Sequence, residues 1–258
     1  MKKNIFFEYG FHSDVRSRAR LIKEIGFDGV FLEWKENKDE LERTAQIIRE
    51  EGLTIETIHL PFVLANALWE DSENGKTYYE QIKEGIYMAS KLKIDTVIVH
   101  TLRGLNPPGI SPIGLMRMHE LVTLASEKQV HIALENIRKH EYNDYLFTNI
   151  RSPWLRFCFD AGHANCFSQD IEDFPWHKYA SKLICVHLHD NQGTSDQHLT
   201  PFEGNINWEK LMRELKENHY PGPLTLEIVL KETEGLDERE FLITAKQRVD
   251  QLVEYYDK

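Results

Sequence analysis

The chain is poor in cysteine: Cys158, Cys166 and Cys185 are the only three, and no CxxC pair occurs. An odd set without close spacing excludes a disulfide framework and a zinc knuckle, and suits a reducing compartment. Long hydrophobic runs are missing too, with none approaching the roughly 20 apolar residues of a membrane helix. The opening MKKNIFFEYGFH is no secretory signal, because its apolar stretch is short and Glu8 interrupts it. The expectation is a cytoplasmic protein with no membrane partner. Basic residues are in deficit, 31 Lys and Arg against 42 Asp and Glu, giving a formal net charge of -11. Affinity for a nucleic-acid backbone comes largely from Lys and Arg displacing counterions, so this balance argues against nucleic acid as a partner. Also absent are a GxSxG elbow, a P-loop and an HExxH helix. With no Pro/Gly/Ser-rich linker and no low-complexity tract, residues 1–258 read as one domain.

What fills the chain is an alternation. Short β-rich apolar runs recur eight times: NIFFEYG (4–10), GVFLEW (29–34), TIETIHLPF (54–62), DTVIVHT (95–101), HIALENI (131–137), LRFCFDAG (155–162), LICVHLHDN (183–191) and LTLEIVL (224–230). Between them lie segments of helical period. Val15, Ala19 and Ile22 share a face before Gly26; Leu41, Ala45 and Ile48 do so before Gly52; Tyr79, Ile82, Ile86 and Ala89 repeat it. Leu242, Ala245, Val249, Leu252 and Tyr256 form the clearest such face. The segments after the fifth and sixth runs are weaker helices, broken by Pro153 and Pro175. Strands apolar along their length imply a parallel sheet covered by helices. Eight such units in 258 residues predict an α/β fold, a single (β/α)8 TIM barrel. The rival, an open doubly wound sheet, would more often carry a Gly-rich phosphate turn after its first strand, and EYGFHS is not GxGxxG.

Catalytic groups of such barrels sit at the C-terminal strand ends. Here six of the eight runs reach a metal-capable residue at that end: His59, His100, Glu135, Asp160, His187 and Glu227. Two residues earlier stand Thr57, Ile98, Ala133, Cys158, Cys185 and Thr225, mostly small, as a crowded layer beneath a ring of ligands requires. Cys158 and Cys185 therefore read as core packing. One histidine at a strand end more often satisfies a neighbour than binds a metal. Six converging strand ends are another matter, since clustered carboxylates repel without a cation among them. Mixed His and carboxylate donors point to a divalent transition metal such as Zn, Mn or Co.

The motifs IHLPF, VIVHT, ALEN, FDAGH, VHLHDN, DQH with EGNINW, and LEI resemble the xylose-isomerase-like barrel superfamily, which includes sugar isomerases and epimerases, inosose dehydratases and endonuclease IV. The resemblance covers essentially the whole chain. In its epimerase-like branch one divalent ion is held by the residues matching Glu135, Asp160, His187 and Glu227. In its endonuclease IV branch two further groups extend the site to three zincs, and they match His59 with His100, and His163 with Asp196 and His198. The resemblance thus implies one to three ions.

It implies sugar, sugar phosphate or polyol isomerisation or epimerisation through an enediolate, with Glu135 and Glu227 moving the proton and His163 positioning the enediolate oxygens. A dehydratase would use the same enolate. His189, on the face of His187 and one layer nearer the mouth, and Glu33 are expected to contact distal hydroxyls. The alternative is zinc-dependent hydrolysis at abasic DNA. The acidic charge and the short KENKDELER segment after the second run weigh against it, and Arg103 is the one arginine of the fourth loop near the site. A non-catalytic metal- or sugar-binding barrel is the third reading. Relatives form dimers or tetramers across the barrel mouth, so self-association is part of what the resemblance implies, although no interface stripe stands out.

Overall fold

Local chemistry sets the helix boundaries. Asp14 accepts the Arg16 and Ser17 N–H groups at the start of α1 (Val15–Ile25), and Gly26 ends that helix at φ 101°, a conformation that favours glycine. Helices α2 (Lys38–Glu50), α3 (Glu73–Leu92), α4 (Pro112–Lys128) and α5 (His140–Asn149) follow. Beyond them come short α6 (Ala161–His163) and α7 (Trp176–Tyr179), then α8 (Trp208–Glu217) and α9 (Glu238–Asp257). A reciprocal Asp237–Glu240 capping box opens α9. The buried faces are those the spacing selects: Ala19 and Ile22 in α1, Leu41, Ala45 and Ile48 in α2, Ile82, Ile86 and Ala89 in α3, and Leu242, Ala245, Val249 and Leu252 in α9. Val15, Tyr79 and Tyr256 pack at the margin of the same core.

The computed structural model describes residues 1–10, 13–169, 171–231, 235 and 237–258. Among these the strands are β1 (Lys3–Phe6), β2 (Gly29–Glu33), β3 (Thr54–His59), β4 (Thr96–Val99), β5 (His131–Glu135), β6 (Leu155–Asp160), β7 (Leu183–His187) and β8 (Leu224–Leu226). They pair in parallel in the order β7-β6-β5-β4-β3-β2-β1-β8. Leu188 closes the ring. Its N–H donates to the Thr225 carbonyl at 2.9 Å, and its carbonyl accepts from the Glu227 N–H at 3.1 Å. This is the expected (β/α)8 barrel.

Two details differ from the expectation. The strands are shorter than the apolar runs, because the runs continue into buried loops at the mouth. Leu60, Leu102, Ile137, Leu188 and Ile228 all lie past a strand end and are buried. Among the described residues the segment after β6 forms short pieces, α6, a π-turn at Ala164–Ser168 and α7 after Pro175, in line with the weak, broken helix expected there. Pro153, in contrast, lies beyond the end of α5 and interrupts nothing. Inside the barrel Ile98, Ala133, Cys158 and Cys185 form a separate buried cluster, the small layer anticipated beneath the strand ends.

Candidate metal centre

Six of the donors are delivered by strand termini. Glu135, Asp160, His187 and His59 are the last residues of β5, β6, β7 and β3, while His100 and Glu227 stand one residue past β4 and β8. In-register pairing of Asp160 with His187, and of Glu135 with Cys158, sets neighbouring donors side by side. One ligand atom each from Glu135, Asp160, His187 and Glu227 lies within 4.8 Å of the others. The same holds for His59, His100 and Glu135, for Asp160, His163 and His189, and for His189, Asp196 and His198.

Glu135 links the first two groups. Its Oε2 lies 2.7 Å from His100 Nε2 and 3.2 Å from His59 Nε2, and its Oε1 lies 3.2 Å from His187 Nδ1. Backbone carbonyls aim three of the rings. His59 Nδ1 donates to the Leu60 carbonyl at 3.0 Å, His163 Nδ1 to the Asn136 carbonyl at 3.1 Å, and His198 Nδ1 to the Glu227 carbonyl at 2.7 Å. A carbonyl can only accept, so each neutral ring carries its proton on Nδ1 and presents a bare Nε2 to the cluster. His198 is held for this at φ 49°, in the left-handed region.

The electrostatics follow from burying carboxylates beside imidazoles. Burial would push Glu135 up, but His100 and His187 outweigh it and hold this carboxyl well below its usual range. Burial is likewise overcome at Glu227 by His187 and at Asp196 by His163 and His198, and both carboxyls are lowered. The histidines respond in the opposite sense. Burial works against protonation of His163, yet Asp160, Asp196 and Glu135 raise it to about 10, and His198 rises to about 9 against the same penalty through Asp196 and Glu227. Burial dominates at His100 and lowers it. The donor set fits a divalent cation. The carboxylates here demand positive charge, and buried Asp160 Oδ2, His187 Nε2 and His189 Nδ1 have no hydrogen-bond partner among the described residues.

All nine anticipated donors converge. His189 departs from its expected place at the mouth. It is fully buried, with Nε2 3.1 Å from Asp160 Oδ1 and 3.6 Å from Asp196 Oδ1, and it stacks on His198 at 4.1 Å. The AGH glycine makes room for it: a Cβ on Gly162 would lie 1.8 Å from His189 Cε1. The alternation of side chains finds its face; only the loop folded over β7 buries it. Glu33 is exposed and lines the mouth cavity, as does Arg103. Cys158 comes within ligand reach of Glu135 and His187, but burial and a hydrogen bond with Cys185 push its thiol well above the ordinary value.

Sequence reasoning missed three parts of the site. Asn136 ties β5 to β6, donating to the Asp160 carbonyl and accepting its N–H, both at 2.8 Å. Phe62 and Phe167 stack on His100 and His163, with centroids 4.7 Å and 5.0 Å apart. Arg138 lies over Phe167. Their only sequence signal was proximity to the donors in IHLPF, ALENIRK and AGHANCF. Above the cluster opens a cavity of about 410 Å³, with His59, His100, His163, His198, Asp196 and Glu227 among its lining.

Comparison with known proteins agrees with this architecture. An uncharacterised protein, y4fM, from Sinorhizobium fredii is 25% identical over 260 residues, covering 85% of this chain and 83% of that protein. Fructoselysine 3-epimerase of Shigella flexneri is 25% identical over 189 residues, 69% of this chain and 67% of the enzyme. The crystal structure of a D-tagatose 3-epimerase-like protein superposes with a TM-score of 0.76 at 24% identity, covering 100% of this chain and 98% of that one. The family profile described as xylose isomerase-like TIM barrel matches residues 19–245, and the chain belongs to that family.

Proposed function

We propose that the protein is a divalent-metal-dependent sugar epimerase or isomerase. The observation that carries this reading is the meeting of two carboxylates, Glu135 from β5 and Glu227 beyond β8, with Asp160 and His187, next to a sugar-sized cavity that Glu227 lines. A Zn, Mn or Co ion held by these four residues supplies Lewis-acid polarisation of a carbonyl and its neighbouring hydroxyl. Glu227 lines the cavity and takes the carbon-bound proton, leaving an enediolate; buried Glu135 serves the opposite side, returning to carbon a proton that it first receives from a neighbouring imidazole, while Glu227 passes its own to solvent. His163 lines the cavity beside them and orients the substrate oxygens. Glu33, across the mouth on β2, contacts distal hydroxyls. The likeness to a 3-epimerase of fructoselysine supports a ketose-like substrate.

The test is proton exchange. Purified protein supplied with Mn, incubated with D-fructose, D-tagatose or D-psicose in heavy water, should wash deuterium into carbon 3 or an adjacent carbon, read by NMR. Glu227→Gln should abolish exchange while the fold survives. Exchange at the normal rate in that variant refutes the assigned role.

A second reading has one observation in its favour. His59 and His100, with Nε2 atoms 3.1 Å apart, form a second group that shares Glu135 with the four-donor core, as a multi-zinc phosphodiesterase on abasic DNA would need. Only residues 34–37 separate β2 from α2, which leaves little chain there to enter a duplex. Incision of an abasic duplex oligonucleotide by zinc-loaded protein decides for this reading, and intact substrate decides against it.

A further inference from the structure

We propose that the substrate of this cavity carries an anionic group, a phosphate monoester or a carboxylate, and that Arg103 and Arg138 grip it. For the sugar the proposal rests on the epimerase reading; for the anion it rests on the following geometry. Arg103 follows β4 and Arg138 follows β5, two strands that pair directly, and both side chains line the mouth cavity.

Each arginine stands over an aromatic face. Arg138 Cζ is 3.7 Å from the Phe167 centroid and Arg103 Cζ is 5.9 Å from that of Phe62. Each ring in turn stacks on a histidine of the metal cluster, Phe167 on His163 and Phe62 on His100. The two histidines meet edge to face at 5.9 Å. Two columns of guanidinium, phenyl and imidazole therefore rise from the cluster to the mouth. A guanidinium whose face is covered by a ring keeps its planar N–H fork at the edge, the arrangement that recognises carboxylate and phosphate in two-point fashion.

The charges around these arginines are as informative as their positions. Acidic residues outnumber basic ones 42 to 31, and surface arginines such as Arg16 and Arg239 find carboxylates at 2.6 Å and 3.0 Å. Among the described residues neither Arg103 nor Arg138 forms an ion pair. The acids of the cavity are engaged elsewhere: Asp196 with His163 and His198 at 3.4 Å, Glu227 with His187 at 3.1 Å. Glu33 stands on β2, outside the β4–β5 sector.

The supports are built rather than loose. Asn66 accepts the Arg103 N–H at 2.7 Å and donates to its carbonyl at 2.8 Å, while the Asn136 bonds to β6 hold the chain two residues before Arg138. Such preorganisation raises affinity because little ordering remains to be done on binding. A neutral sugar would offer the two guanidiniums hydroxyl acceptors but no charge to balance theirs.

Calorimetric titration of the Mn-loaded full chain tests this, with D-fructose, D-fructose 6-phosphate, 2-keto-D-gluconate and inorganic phosphate as probes. One anionic sugar should bind about tenfold or more tightly than D-fructose, the fold-change equivalent of a single charge-assisted hydrogen bond. Preference between the two anionic sugars identifies phosphate or carboxylate. In R103Q/R138Q the ratio of anionic to neutral affinity should fall towards one. If Gln at 138 lowers Tm, R138K keeps stem and charge but removes the fork, and the ratio should still drop. Equal binding of neutral and anionic sugars, or an unchanged ratio in the double variant, overturns the proposal. Carbon-bound deuterium exchange run alongside separates the two readings. Exchange on neutral sugars with no gain from charge sinks the anion site and keeps the epimerase. Arginine-dependent binding of phosphate or an anionic sugar without exchange on any sugar keeps the anion site and sinks the epimerase.

Discussion

Glu135 and Glu8 are both shielded carboxylates near strand ends, and they behave oppositely. Glu135, on β5, is surrounded by imidazoles and stays ionised despite complete burial. Glu8, two residues past β1, has Lys35 Nζ at 3.5 Å and accepts a 3.4 Å bond from the Glu33 N–H. Burial wins there and raises its carboxyl to about 7. Burial alone neutralises a carboxylate; several cation-capable neighbours keep it charged. The C-terminal ends of β3 to β8 are therefore suited to holding positive charge, whereas the end of β1 tolerates an acid that keeps its proton up to about pH 7.

The largest expected effect breaks this contrast at Glu135. Glu135→Gln removes the charge and one of the two acceptor oxygens that face His59, His100 and His187, and should lower the proposed epimerase turnover by roughly 10²–10⁴-fold. Elemental analysis should also find less metal than in the unaltered protein, and undiminished metal content in active protein would contradict the shared-donor role. Next is the ion itself. Metal-depleted protein titrated with Mn or Zn to ~100–1,000 times Kd should gain about 3–4 kcal/mol of stability, read as a Tm rise of several degrees; an unmoved Tm would argue that the cluster holds no ion. Third, Gly162→Ala drives a methyl into His189. It should cost about 1–3 kcal/mol in denaturant titration and lower metal stoichiometry, while normal stoichiometry would remove His189 and its neighbours from the metal-holding set.

The smallest effect sharpens the other side of the comparison. The folded pKa of Glu8, about 7, lies above its ordinary 4.5, so the folded protein retains a proton that the unfolded chain releases. Its contribution favours the fold below pH 4.5 and declines as pH rises from there through 7. Glu8→Gln should thus stabilise by about 1–2 kcal/mol at pH 8, with the gain vanishing as pH falls towards 4.5. An equal gain at both pH values would assign the effect to packing rather than ionisation.

Much of this was legible beforehand because it is local. Strand period placed His59, Asp160 and Glu227 towards the axis, and helical period identified the faces of Leu41 and Val249. The strand lengths were not legible, since Leu60 and Ile228 are as apolar in a buried loop as in a ladder. Nor was the burial of His189, which depends on a loop returning from residue 198, or the Phe62–His100 and Phe167–His163 stacks, which join side chains from separate segments. Asn136 was readable only as part of a motif, because its partner is the Asp160 backbone, 24 residues away.

By itself the sequence determined the kinds of donor and their order along the chain, because side-chain alternation and strand termini are written in neighbouring residues. Tertiary structure alone decided which donors come within reach of one another, which buried carboxylate stays charged, and that two arginines line the cavity without an ion pair among the described residues. Those outcomes depend on distances across a ring that closes only when Leu188 bonds to β8, and Coulomb energy in a poorly screened interior changes steeply with such distances.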